Sequence, residues 1–79
     1  MEEETKEVWY EIAVSYTDDK GTETIERKTY LNEAIDYAKN CSELQNENVD
    51  FVFVDKWYYY EDKTYKDYTF KSQIIINNQ

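Results

Sequence analysis

The stretch VDFVFVDKWYYY, Val49–Tyr60, decides the fold. In an extended chain Val49, Phe51 and Phe53 project one way and Val52 and Val54 the other, so its first half is apolar on both sides. A strand of that kind is central in a sheet, or is covered by a partner on the side its own fold leaves open. Its second half alternates Trp57 and Tyr59 against Tyr58 and Tyr60, placing large aromatic rings on both faces.

Working outward, EDKT at 61–64 reads as a turn, and a last strand is predicted from Tyr65 to Ile76, with Tyr68, Phe70, Ile74 and Ile76 on one side. Upstream, VWYEIAVSY places Val8, Tyr10, Ile12, Val14 and Tyr16 on one face and Trp9, Glu11, Ala13 and Ser15 on the other. TDDKGTE follows, with Gly21 suited to the left-handed position of a type I turn, and TETIERKTY reads as a charged, protected edge strand. From Leu31 to about Gln45 the period changes. Leu31, Ala34, Ile35, Ala38 and Cys41 recur at helical spacing, with Asn32 the expected N-cap. The fold class is therefore α+β, ββαββ: a four-stranded, mostly antiparallel sheet, order 2-1-3-4, with one helix packed on one face. One such helix leaves the second face, including Trp9 and Ala13, to be covered or exposed.

With 79 residues the chain makes a single domain, 1–79, with residues 1–6 expected as a disordered acidic tail. The lone Cys41 supports no internal disulfide, the MEEETKE start lacks the basic-then-apolar order of a signal peptide, and a cytoplasmic location is expected. Eighteen acids oppose nine bases, a net charge of −9 with no histidine. That field repels nucleic acid and anionic membrane and attracts basic proteins in a salt-dependent way, so neither direct nucleic-acid binding nor membrane contact is expected.

The charge is uneven. Asp55 to Lys71 holds four acids and four lysines, whereas 33–50 carries Glu33, Asp36, Glu43, Glu47 and Asp50 against Lys39 alone. On a helical wheel Glu33, Asp36, Asn40, Glu43 and Glu47 form a ridge opposite the apolar stripe, with Tyr37 on its flank. Such a ridge is commonly just a solvated polar face. The functional alternative is that carboxylates rising by about 4.5–6 Å along a helix imitate phosphates and present a decoy to a basic groove. The neutral aromatic segment, Trp57, Tyr58, Tyr59 and Tyr60 with Trp9 and Ala13, offers a surface for self-association as a homodimer, or else simply packs the hairpin.

Catalysis is not expected. Without histidine there is no imidazole to serve a Ser or Cys nucleophile, no cofactor or metal is implied, and TDDKGTE lacks the alternating ligands of a calcium loop. In length, acidity and Tyr-rich α+β pattern the chain resembles the small acidic inhibitors that phages direct against host nucleic-acid-binding proteins: DNA mimics, anti-CRISPR proteins and uracil-glycosylase inhibitors. The resemblance covers general character and carries no motif. It implies a stoichiometric inhibitor of a basic nucleic-acid-binding protein or nuclease. An antitoxin or immunity protein against a basic toxin is the second reading, and a structural accessory domain the third.

Overall fold

The computed structural model describes residues 7–17, 21–41 and 48–78. Its elements run β1 (Glu7–Tyr16), β2 (Thr22–Lys28), α1 (Leu31–Asn40), β3 (Val49–Tyr60), β4 (Lys63–Lys66) and β5 (Gln73–Asn77). The strands form one antiparallel sheet in the order β2-β1-β3-β4, with β5 also paired to β3. The α+β architecture and the 2-1-3-4 order read from the sequence are those observed.

β3 is the spine. Along one edge it pairs with β1 over its whole length, from Tyr59 opposite Glu7 to Val49 opposite Tyr16. Along the other, β4 takes the Trp57–Tyr60 end and β5 the Phe51–Val54 end. The single last strand expected over 65–76 is thus two. After Lys66 the chain leaves the sheet at Asp67, where the backbone N–H of Asp67 still bonds Lys56 O at 2.9 Å. Asp67 then folds an Asx turn onto Thr69 N, 2.9 Å. That side-chain turn breaks a strand whose alternation is otherwise good, and it leaves Tyr68 86% exposed.

α1 lies on one face only. Ala34 and Ala38, both fully buried, let it approach Ile12, Val14, Val52 and Val54, and Val49 closes the cluster. Val49 was expected on the opposite side, with Phe51 and Phe53. A register shift between Ser15 and Tyr16 in the β1–β3 pair turns it into the helix-side core. A second shift, between Val52 and Phe53 in the β3–β5 pair, does the same at the edge: Ile76 pairs with Val52 but Ile74 with Phe53, so the two do not share a face.

The helix is shorter than its sequence period, ending at Asn40 with Cys41 extended (φ −87°, ψ 101°). Its N-cap is Tyr30, without a side-chain cap bond, and Asn32 falls inside the first turn. The expected EDKT turn is a two-residue one, Glu61 (φ 51°) and Asp62 (φ 65°). Both are left-handed, the pattern of a type I′ hairpin without its usual Asn or Gly. Gly21 at φ 81° is left-handed as expected. No helix of the described residues is long and apolar enough to cross a membrane.

Candidate functional site

On the outer side of α1, three of the five ridge residues come together with Tyr37. Glu33, Asp36, Tyr37 and Asn40 line a shallow depression of about 370 Å³, and a residue from the neighbouring strand, Lys28, completes it. The Lys28 ammonium lies 5.3 Å from the centre of the Tyr37 ring. Asn40 turns back to donate to Asp36 O at 2.9 Å, which ties it to the helix end. Glu43 and Glu47 lie outside the described residues, as do the expected tail 1–6 and most of the acidic turn before Gly21. The described residues hold eleven carboxylates against seven basic side chains, net −4, which leaves −5 to the remainder.

The six residues expected to self-associate do not share one surface. Trp9 and Ala13 fall on the face opposite α1, with Trp57 directly opposite Trp9 and Tyr59 further along. Tyr58 and Tyr60 fall on the helix side, beyond the reach of α1, where Tyr58 stacks on Tyr65 with ring centres 5.3 Å apart. Below that stack Tyr10 meets Phe70 edge-on at 5.8 Å, and Val8, Lys56, Tyr58, Asp67 and Thr69 line a second depression of about 380 Å³. Asp67 sits within it. Hydrogen bonds from the Thr69 hydroxyl and backbone N–H, with further help from Lys56 at 3.9 Å, hold its carboxyl below the usual carboxylate range.

The face opposite α1 carries an arrangement that the sequence does not announce. Arg27 of β2 pairs with Glu11 of β1, Glu11 pairs with Asp55 of β3, and Lys66 of β4 reaches Asp55 at 3.5 Å. The result is a row of cation, anion, anion, cation across four strands. Both carboxylates are nearly buried, Glu11 8% and Asp55 5% exposed. Glu11 accepts from Trp9 Nε1 at 2.8 Å, Thr24 Oγ1 at 3.2 Å and Arg27 Nη2 at 3.4 Å, while Asp55 accepts from the Ser72 hydroxyl and forms an ion pair with Lys66. The Arg27 guanidinium also covers the Trp9 ring at 4.7 Å, which helps to keep a tryptophan on the face opposite α1 only 9% exposed.

This row divides the aromatic face: Trp9, Trp57 and Tyr59 lie on one side of it, and Ala13, Phe51, Phe53 and Ile74 on the other. It is also palindromic. A two-fold axis laid in the plane of the face through its centre would set like charge over like, which disfavours a centred face-to-face pair. Alternation along Glu7–Tyr16 places Glu11 on this face, but the partner opposite it depends on inter-strand register, which one sequence does not carry. No protein family, no characterised protein and no solved structure matches the chain.

Proposed function

We propose that this protein is a non-catalytic binding domain that seats on a basic, phosphate-binding surface of a protein partner and inhibits it by occupying that surface. The observation that carries the reading is the depression beside α1: two exposed carboxylates, Glu33 and Asp36, flank an aromatic ring that already holds an ammonium, that of Lys28. A lysine or arginine of a partner finds there two exposed carboxylates on one helix face, beside a ring that Lys28 already covers. Around it the net charge of −9 draws a basic surface in at long range and repels nucleic acid itself. Glu11 and Asp55, neutralised within the sheet, take no part in that outward field.

Competition tests the reading. A fluorescently labelled DNA duplex is bound to basic nucleic-acid-binding proteins recovered by affinity capture at low salt, and the protein is titrated in. Displacement that weakens as salt rises, and that needs about tenfold more of a Glu33→Gln/Asp36→Asn variant (~1.4 kcal/mol), supports it. If the wild type displaces nothing, or the variant competes equally well, the reading is wrong.

A further inference from the structure

Among the described residues the sheet has three edge segments, β2, β4 and β5, and their side chains differ in kind. β2 carries Glu23, Glu26, Arg27 and Lys28, and β4 carries Lys63 and Lys66. β5 carries no charged side chain, and neither does any residue from Ser72 to Gln79, in a chain that is 34% charged. Charged edges are a common means by which sheets keep strands of other molecules from adding on, and an uncharged, β-branched edge offers its backbone groups as a template. Here Ile75 and Ile76 lean on the core and hold the strand in place, while Ile74 remains 58% exposed. Among the described residues β5 pairs with β3 alone.

We infer that β5 is a self-association edge, to which a second copy of this chain adds its own β5 antiparallel, joining two sheets into one. Three features select a second copy as the occupant. Two molecules of charge −9 repel, and among the described strands β5 is the edge where they meet without bringing charged side chains together. A cationic partner would find no carboxylate on this strand, whereas an antiparallel pairing sets Gln-Ile-Ile-Ile against itself about a two-fold axis normal to the sheet. That axis carries the two β4 strands, with their lysines, to opposite ends of the joined sheet, and the charged β2 strands become its outer edges. Growth therefore stops at two chains. The same axis leaves both α1 helices on one side of the sheet, so a dimer presents two copies of the acidic depression on a single surface. Only this last consequence rests on the function proposed above.

Sedimentation velocity from about 10 µM to 1 mM tests the inference on the full chain. The wild type is expected to pass from monomer to dimer within that range. Ile74→Lys, at an exposed position, should need at least about tenfold higher concentration, while Thr22→Lys on the β2 edge behaves as wild type. Amide exchange gives a readout that needs no variant: protection at Gln73–Ile76 should rise with protein concentration. A wild type that stays monomeric throughout overturns the inference. So does an Ile74→Lys chain that dimerises normally, or a dimer that forms without added protection in β5.

Discussion

Glu11 and Asp55 face each other in direct register across the β1–β3 pair, two nearly buried carboxylates, each held by a cation from a different outer strand. Like charges directly opposite in a sheet repel, and here Arg27 and Lys66 offset that repulsion from the flanks. A double-mutant cycle with Glu11→Gln and Asp55→Asn measures it. Either single change relieves the repulsion once, so the double variant should be about 0.5–1 kcal/mol less stable than the sum of the singles predicts. Strict additivity in urea unfolding would mean that the two groups do not sense each other.

The β3–β4 turn offers a gain in stability. Glu61 occupies the left-handed region at φ 51°, a conformation that costs an ordinary side chain roughly 1–2 kcal/mol and costs asparagine less. Glu61→Asn should raise the stability by about 0.5–1 kcal/mol, read as a higher urea midpoint at unchanged slope. Asp62 is left in place because it accepts the Tyr59 hydroxyl at 2.8 Å.

A second gain lies at the start of α1. Tyr30 is the N-cap residue, in extended conformation and 63% exposed, and its side chain makes no capping bond. Tyr30→Ser would create Ser-Leu-Asn-Glu, a capping box with Glu33 at the third helical position. An increase of about 1 kcal/mol is expected from thermal or urea unfolding, and no increase would show that the first turn is already satisfied otherwise.

Acid sensitivity should trace to Asp67. Its pKa is lowered in the fold, by Thr69 first, so its contribution is present above the ordinary carboxylate pKa and is lost as pH falls through the folded value. Asp67→Asn should flatten the dependence of the urea midpoint on pH below about 4, relative to wild type. At the alkaline end the sign reverses for Tyr59, whose pKa is raised by its bond to Asp62. Its contribution is present below about pH 10 and fades as pH rises further, and Tyr59→Phe should remove that fading.

Much of the fold is legible from side-chain period alone, because Ile12, Val14, Val52 and Val54 on one face and Ala34 and Ala38 on the helix admit few arrangements. Three things are not. The register shifts at Ser15/Tyr16 and Val52/Phe53 move Val49 and Ile74 to faces that strict alternation denies them. The Asp67 turn interrupts a strand through a local side-chain bond that competes with β propensity. The charge row is assembled from four strands, and no single segment of sequence contains it. Within the candidate site the same limit applies: Glu33, Asp36, Tyr37 and Asn40 share a helix, so its period groups them, whereas Lys28 reaches them from a strand.

The β3 strand has a consequence for how the molecule opens. Its twelve residues are braced on one side by a single long neighbour and on the other by two short ones in tandem, so either short strand can open while the other stays docked, β5 at the greater cost because Ile75 and Ile76 pack on the core. Fluctuations at the aromatic tip and at the isoleucine end are then separate events with separate free energies. Only the β1–β3 seam, continuous under both, has to wait for the whole chain to unravel.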